Sequence, residues 1–340
     1  MRILVIRNDK IGDFMLAWPA LALLKAARCH VTVMVPAYTQ ALAQLCPYVD
    51  DVLLDPGAAC SPSQTRELLR QVRQGDFAAA LVLYSTWRVG MLLWRAGVPV
   101  RLAPATKLAQ VFYNHRITQR RSRSEKPEWD YNLDLAAALL KRLGLPRGVI
   151  GAPYLKLPAS DVIARRKALA DELGVPSQQR WLFAHVGSGG SANNLSIEQY
   201  RALLVALSMR LPDWIIVLTA GPNELGAVGQ LETALIAHQV PVALLSGSDL
   251  TQFVHNVAAA DAFMAGSTGP LHMAGVLDVP TVGFYPLRRS ATALRWQTVN
   301  SPARRLAISP TPDMPNPQTF DGLPIEQVAD QVASWLQRVA

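Results

Sequence analysis

The 340-residue sequence is poor in the residues that support extracellular or metal-stabilised folds. Its three cysteines, Cys29, Cys46 and Cys60, are odd in number and lack the spacing of metal ligands, which favours free thiols over disulfides or a zinc site. No run of about 18 uncharged apolar residues occurs, so we expect no transmembrane helix. We also find no secretory leader and no His, Asp and Glu cluster with metal spacing. These absences predict a cytoplasmic protein without a bound metal or cofactor.

Charged residues are also scarce, at 17% of the chain against 50% hydrophobic residues. This composition supports large cores and argues against extensive disorder. The net charge is nevertheless +8, which indicates an anionic partner such as a nucleic acid, an anionic lipid or a phosphorylated substrate. Nucleic acid is the least favoured, because no nucleic-acid motif occurs and the basic residues are not interleaved with aromatics.

The most basic stretch is residues 114–126, which we predict to be a loop. Its basic residues are His115, Arg116, Arg120, Arg121, Arg123 and Lys126, against the single acid Glu125. The stretch is either a solvated connection or a clamp for an anionic acceptor, since arginine pairs bidentately with phosphate and carboxylate.

Short apolar runs alternate with helical patterns along the whole chain, which predicts an α/β protein with parallel sheets. In the first half, strands 2–7, 30–35, 52–54 and 79–83 alternate with helices 14–27, 39–46, 62–74, 88–96 and 129–143. Pro19 should kink the first helix or mark a shifted start. We interpret 88–96 as a core helix, with a lipid-facing surface as the alternative.

The second half repeats this pattern after a Pro- and Gly-rich linker at 146–158. It contains strands 181–186, 214–218, 242–245, 263–265 and 281–284, and helices 161–173, 196–211, 250–259, 324–339 and one that begins at Pro270. Residues 300–322 are Pro-rich and predicted to be irregular. We expect two domains, 1–155 and 156–323.

The sequence Gly266-Ser267-Thr268-Gly269 ends an apolar strand and precedes Pro270, a residue suited to a first helical turn. Small residues and free N–H groups at a helix start form an anion site, most often for phosphate. His272 would lie within the same turn. We therefore predict that the phosphates of a nucleotide bind here.

A second small-residue loop, residues 187–194, follows the strand that ends near His185. It also suits phosphate, although it matches neither a Walker A loop nor G-x-G-x-x-G. Asn193 and Asn194 either bond phosphate or hold the turn. Glu224 follows another strand and is either an acid at a helix start or a ligand of a ribose hydroxyl.

Asp13 follows the first strand and a polar turn, at the edge of the sheet where ligands of such folds bind. One interpretation is a helix N-cap, in which the carboxylate accepts backbone N–H bonds. The other is a general base at the mouth of a cleft. The spacing alone leaves both open.

Three segments together resemble glycosyltransferase family 9, the ADP-heptose:lipopolysaccharide heptosyltransferases. They are Met1-Arg-Ile-Leu-Val-Ile-Arg-Asn-Asp-Lys-Ile-Gly-Asp13 with Pro19-Ala-Leu21, then His185-Val-Gly-Ser-Gly-Gly-Ser191, then Gly266-Ser-Thr-Gly-Pro-Leu-His-Met-Ala274 with Pro280-Thr-Val-Gly-Phe-Tyr-Pro286. The resemblance implies the GT-B fold, in which two Rossmann-like domains face each other across a cleft. It also implies that the last helix, 324–340, packs back on the first domain.

The resemblance implies an inverting transfer of heptose from ADP-heptose to the inner core of lipopolysaccharide. Asp13 matches the general base. The donor and phosphate positions that match are Ser188, Gly189, Asn193, Glu224, Ser267, Thr268, Gly269 and His272. We assign the anionic, lipid-linked acceptor to Arg116, Arg120, Arg121 and Arg123, with the protein at the cytoplasmic face of the inner membrane.

The sequence departs from the family pattern at two places. Ser267 stands where known members carry Asp, and Asn193-Asn194 stand where they carry Lys. Another nucleotide sugar is therefore an alternative donor. An inactive nucleotide-sugar-binding protein is a further alternative, which the presence of Asp13 disfavours.

Overall fold

The structure, a computed structural model, describes residues 1–106, 108–187, 193–221, 223–314 and 316–340. The chain divides into two units. Unit 1 comprises Met1–Arg121 and Glu125–Tyr154, and unit 2 comprises Ser122–Ser124 and Leu155–Ala340. The division at Tyr154 falls inside the segment 146–158, which the sequence suggests as a linker.

Unit 1 is built on a parallel sheet, with six strands among the described residues. They are β1 (Arg2–Ile6), β2 (His30–Pro36), β3 (Asp51–Asp55), β4 (Ala79–Val82), β5 (Val100–Pro104) and β6 (His115–Ile117). Their order is β3-β2-β1-β4-β5-β6, the 3-2-1-4-5-6 order of a Rossmann domain. β1 lies at the centre, where Ile3 is opposite both Val31 and Ala79. Burial on both faces explains its continuous apolar run.

Helices follow most strands of unit 1. They are α1 (Ile11–Met15), α2 (Trp18–Ala26), α3 (Gln40–Leu45), α4 (Pro62–Gln74), α5 (Trp87–Ala96) and α6 (Glu128–Arg142). The helix predicted for 14–27 is divided, and Pro19 lies in the first turn of α2. Proline has no N–H to donate there, so a new helix start is the conformation that it favours.

Unit 2 repeats the same strand order. Its described strands are β7 (Arg180–His185), β8 (Trp214–Thr219), β9 (Val242–Leu245), β10 (Ala262–Gly266), β11 (Thr281–Phe284) and β12 (Arg305–Ile308). Their order is β12-β11-β10-β7-β8-β9, and every pair is parallel. Counted from β7, this is again 3-2-1-4-5-6. The prediction of an α/β fold with two Rossmann-like units is confirmed.

The helices of unit 2 are α7 (Ala159–Leu173), α8 (Ile197–Arg210), α9 (Leu225–Ala237), α10 (Leu250–Ala258), α11 (Gly269–Val276), α12 (Ala293–Trp296) and α13 (Ile325–Val339). The expectation that the last helix packs on the first domain is wrong. α13 packs on α8, and Val332, Trp335 and Leu336 join Leu203 and Leu207 in one core. Its apolar face is therefore buried within unit 2.

One edge strand of each sheet, β6 and β12, was not predicted from the sequence, whereas the opposite edges β3 and β9 were. β6 lies in the stretch 114–126, predicted to be a loop, and β12 lies in 300–322, predicted to be irregular. β5 was also missed. β6 and β12 are short and have a neighbour on one side only, so they keep polar residues such as Arg116 and Arg305 and lack an apolar run.

α5 has two different faces. Val89, Leu92 and Leu93 are buried, as expected for a core helix, whereas Trp87 and Trp94 are exposed. Across the described ranges, the structure contains no helix that combines the length and the apolar character needed to span a membrane.

Candidate active site

Arg7 is the centre of a charged cluster at the carboxyl end of β1. Its buried guanidinium pairs with Asp9 (Nε to Oδ1, 2.8 Å), Glu128 (Nη1 to Oε1, 3.1 Å) and Asp13 (Nη2 to Oδ1). Arg121 belongs to the same group because its Nη1 lies 2.6 Å from Oε1 of Glu128. We call these five residues the charged cluster. From β1 the chain continues to β2 on one side, and from the neighbouring β4 it continues to β5 on the other side. The position between β1 and β4 is therefore the topological switch point of the sheet, where ligands of doubly wound folds bind.

Asp13 is the third residue of α1, and the N-cap position belongs to Lys10. The N-cap interpretation of Asp13 is therefore wrong, although its charge still lies in the first helical turn. Its carboxylate is directed to Arg7 instead, and its side chain is 14% exposed. A carboxylate that is oriented in this way and retains access to solvent can accept a proton from a hydroxyl group.

The charges of the cluster shift one another's pKa values. Burial lowers the pKa of Arg7, but Asp13, Asp9 and Glu128 together raise it above its ordinary value, so Arg7 stays cationic. Burial raises the pKa of Asp9 to about 6, while Arg7 opposes the shift and the charge of Asp13 adds to it. Asp9 therefore takes up a proton at a higher pH than an exposed aspartate.

The partners of Asp13 were missed from the sequence. Arg7 is only 4% exposed, and the one available signal was an arginine directly after an apolar strand. Glu128 and Asn132 come from α6, far along the chain. Asn132 donates to the carbonyl of Leu16 (3.1 Å) and accepts from Arg121 (3.4 Å), so it ties α6 to the segment between α1 and α2.

The four arginines assigned to the acceptor are in different environments. Arg116 lies in β6 and Arg120 follows it, and both are exposed. Arg121 is engaged with Glu128 and with Gln119 (Nε to Oε1, 2.9 Å). Arg123 is exposed in a short 3-10 helix and belongs to the three residues assigned to unit 2. Of the four, Arg121 belongs to the charged cluster through its pair with Glu128.

In unit 2 the predicted phosphate residues follow β10 in what we call the glycine turn, residues 266–269. Thr268 is the N-cap of α11 with an extended backbone (φ −117°, ψ 170°), and Gly269 is the first helical residue. Pro270 lies in the first turn, as its position in the sequence predicts. The free amides of this helix start make it electropositive and suited to an anion.

Thr268 and His272 supply buried polar groups beside the glycine turn. Within the described ranges, no residue forms a hydrogen bond with Thr268 Oγ1 or His272 Nδ1. Burial lowers the pKa of His272 to about 4, so the imidazole is neutral near pH 7. The turn therefore offers hydrogen-bonding groups without a positive side chain, and Ser267 beside them is half-buried.

A second group of polar residues lies at the carboxyl ends of β7 and β8. His185 Nδ1 is 2.9 Å from Thr219 Oγ1, and its Nε2 is 3.8 Å from Glu224 Oε2. Burial lowers the pKa of His185, although Glu224 opposes this shift. Glu224 accepts a bond from the amide of Gly221 (2.9 Å), and a Cβ at Gly187 would lie 1.9 Å from its Cδ. Only glycine leaves room for the carboxylate at this position.

Asn194 holds the turn after β7. It donates to the carbonyl of Val186 (3.0 Å), accepts from the hydroxyl of Tyr200 (2.7 Å), and lies against Gly266. Because β7 and β10 are neighbours, these contacts join the two loops at the switch point of unit 2.

The other predicted residues of the second loop are less informative. Asn193 is exposed and donates to the carbonyl of Gln318 (3.1 Å). Ser188 and Gly189 lie outside the described residues. No group of three or more His, Cys, Asp or Glu in the described ranges could hold a metal ion.

Comparisons with known proteins identify the family. Residues 65–317 match the profile of glycosyltransferase family 9, described as heptosyltransferase. The chain is 39% identical, over 99% of its length and 97% of the relative, to a Haemophilus influenzae protein named as a candidate glycosyltransferase. It is 24% identical to lipopolysaccharide heptosyltransferase 2 of Salmonella typhimurium, over 84% of this chain and 82% of that protein.

A solved structure supports the fold. The E. coli ADP-heptose lipopolysaccharide heptosyltransferase II superimposes with a TM-score of 0.78 at 19% identity, over 99% of both chains. The two Rossmann-like units are those of a GT-B glycosyltransferase. Since the family profile covers most of the chain, the chain is a glycosyltransferase and belongs to family 9.

Proposed function

We propose that this glycosyltransferase transfers heptose from ADP-heptose to a lipid-linked saccharide of the lipopolysaccharide inner core. The observation that carries the proposal is Asp13, a partly buried carboxylate held by Arg7 at the switch point of unit 1. The names of the Salmonella and E. coli relatives support the sugar and the acceptor class. An acceptor of this kind would present phosphate or carboxylate groups at the cytoplasmic face of the inner membrane.

In the proposed reaction Asp13 is the general base. It accepts the proton of an acceptor hydroxyl, whose oxygen then forms a bond to the anomeric carbon of the donor. The bond from that carbon to the diphosphate oxygen breaks, and ADP leaves with inversion of configuration. The ion pair with Arg7 fixes the orientation of the Asp13 carboxylate, so that it can face the acceptor hydroxyl.

On the donor side, the leaving diphosphate gains negative charge as the bond breaks. We assign its stabilisation to the amides at the start of α11, with Thr268 and His272 as polar neighbours. Ser188, Gly189 and Asn193 of the second loop would contribute further donors. Glu224 would hold a hydroxyl of the nucleotide sugar, since its position is fixed by the amide of Gly221.

A different nucleotide sugar is the second candidate donor. Ser267 supplies no carboxylate at the place where known family members carry Asp. Asn194 is engaged in holding its own turn, and the second loop carries no lysine. The donor contacts of this chain therefore differ from the family pattern on both sides of the switch point.

The acceptor contacts are assigned to arginine. Arg116 and Arg120 are exposed and can pair bidentately with phosphate or carboxylate, and the exposed Arg123 is assigned to the same acceptor. Arg121 would act indirectly, because its guanidinium already pairs with Glu128 and thereby with the charged cluster. We expect its loss to disturb Asp13 as well as the acceptor.

The test is release of the nucleoside diphosphate from a panel of donors. ADP-heptose is compared with other ADP-, UDP- and GDP-sugars, in the presence of Kdo-lipid A and of heptosylated acceptors. We expect turnover with ADP-heptose and an acceptor-dependent release of ADP. Turnover with another donor only would establish the second candidate. A lack of turnover with every donor, in a protein that still binds ADP, would identify a binding protein and overturn the proposal.

A further inference from the structure

The positive charge of the chain is concentrated in one segment. Residues 56–124 contain eleven Lys and Arg against two acids, Glu67 and Asp76, a net charge of +9, whereas the whole chain carries +8. The remainder of the molecule is therefore close to neutral. Nearly all of this segment belongs to unit 1, where it forms α4, α5, β4, β5 and β6.

The same segment exposes large apolar side chains. Trp87 and Trp94 on α5 are 53% and 57% exposed, and Leu108 and Val111 on the following 3-10 helix are 80% and 65% exposed. We call these four residues the apolar patch. Both tryptophans lie beside the ring of Phe112, with centroids at 4.6 and 6.2 Å.

The patch is held together by a close approach of two helices. A Cβ at Gly90 would lie 2.9 Å from the ring of Phe112, so glycine allows the 3-10 helix Leu108–Phe112 to pack directly on α5. Trp87 and Trp94 are seven residues apart, two turns of α5, and therefore share one side of the helix. The four exposed side chains thus belong to one supported surface.

Three arginines lie on the elements that carry or adjoin the patch. Arg95 follows Trp94 in the chain and is exposed. Arg73 of α4 donates a hydrogen bond to the backbone carbonyl of Arg95 (2.9 Å). Arg101 donates to the carbonyl of Phe112 (2.8 Å) behind the 3-10 helix. Of the two acids in the segment, Glu67 is paired with Arg70 of its own helix. The segment that carries the patch therefore has an excess of positive charge.

We propose that the apolar patch is a docking surface for an anionic phospholipid bilayer. Tryptophan side chains prefer the boundary between headgroups and acyl chains, and basic residues near apolar side chains add attraction to anionic headgroups. A protein partner would need acidic groups to match the same positive charge. The bilayer satisfies both requirements at once, and the proposed function supplies the reason, since the acceptor is a lipid.

The test is sedimentation of the full chain with phospholipid vesicles, without donor or acceptor sugar. Vesicles of phosphatidylcholine alone are compared with vesicles that also contain phosphatidylglycerol, at low and high salt. We expect binding to the anionic vesicles and weaker binding at high salt, because salt screens the arginines. Equal binding to both compositions, or none to either, would overturn the proposal.

A matched pair of variants locates the surface. Leu108→Ser with Val111→Ser removes two exposed apolar side chains from the patch and should weaken vesicle binding by about tenfold. Ile163→Ser with Met209→Ser removes two side chains that are each 69% exposed in unit 2 and should leave binding unchanged. Equal losses in both variants would contradict the assignment. Circular dichroism checks that both remain folded.

Tryptophan fluorescence gives a second readout. Brominated lipids should quench the emission of the bound protein, and Trp87→Phe with Trp94→Phe should remove most of that quenching.

Size-exclusion chromatography at matched protein concentration tests whether the patch instead binds a second copy of the chain. A patch variant that changes the oligomeric state but not vesicle binding would indicate such self-association and would overturn the proposal. If the unmodified chain transferred sugar but did not bind anionic vesicles, the docking surface alone would be rejected. If it bound the vesicles but transferred no sugar, the proposed function alone would be rejected.

Discussion

The two units share one strand order, yet the switch points of their sheets are opposite in electrostatic character. At β1 of unit 1, the charged cluster places three carboxylates on one buried arginine. At β10 of unit 2, the glycine turn, Thr268 and a neutral His272 carry no charge. The same topology therefore carries a charged cluster in one unit and an uncharged turn at a helix start in the other.

Under the proposed mechanism, this difference matches two different chemical demands. Proton transfer needs a carboxylate held in one orientation, and the ion pair with the buried Arg7 provides it. A leaving diphosphate brings its own charge, so amides and neutral donors can stabilise it without a permanent buried cation. The comparison predicts that substitutions in unit 1 act through charge, and that those in unit 2 act through shape and hydrogen bonding.

The largest effect is expected for Asp13→Asn. Under the proposed mechanism the amide cannot accept the acceptor proton, so kcat should fall by about 10³-fold, within the range of general-base catalysis. The measurement is ADP release at saturating donor, with Asp134→Asn on the surface of α6 as the control. Nearly unchanged kcat in Asp13→Asn would show that another group takes the proton.

Glu128→Gln tests whether the charged cluster is a single unit. The substitution leaves Arg7 and Arg121 each without one carboxylate in a buried environment, which should lower the free energy of unfolding by about 4 kcal/mol. Glu326→Gln breaks an exposed pair with Arg210 and should cost less than about 1 kcal/mol. Urea unfolding measures both. Similar losses in the two variants would mean that Glu128 adds nothing beyond a surface pair.

The sequence predicted the centre of each sheet and the parts of the site that lie close to the strand ends. Asp13, Thr268 and His272 could be found because a strand, a turn and a helix start follow one another locally. Glu128 could not, since its ion pair with Arg7 joins residues 121 positions apart. Two of the four edge strands, β6 and β12, were missed for a related reason: each owes its conformation to one neighbouring strand rather than to an apolar pattern of its own.

His272 should make the stability of the fold depend on pH. Its pKa is lowered to about 4 in the folded chain, against about 6.5 in an unfolded one, so the unfolded chain binds more protons between these values. The free energy of unfolding should therefore fall by about 3 kcal/mol as the pH drops from 6.5 to 4. In His272→Gln this part of the pH dependence should disappear, whereas exposed His238→Gln should retain it. Denaturant unfolding at a series of pH values measures the slope, and an unchanged slope in His272→Gln would exclude a buried neutral imidazole.

The smallest effect is expected for Gly187→Ala, which tests whether unit 2 acts through shape. The new Cβ would occupy the place of the Glu224 carboxylate, 1.9 Å from its Cδ, so that side chain must move and give up its bond to the amide of Gly221. The carboxylate is the end of a flexible side chain, so we expect little change in the free energy of unfolding. Donor affinity, measured by calorimetry, should fall by about tenfold, the cost of one hydrogen bond to a charged group. Gly226→Ala is the control, since its Cβ meets nothing within 4 Å. If Gly187→Ala bound the donor as tightly as the control, the placement of Glu224 would be irrelevant to the donor, and the glycine would serve only the packing of the strand ends.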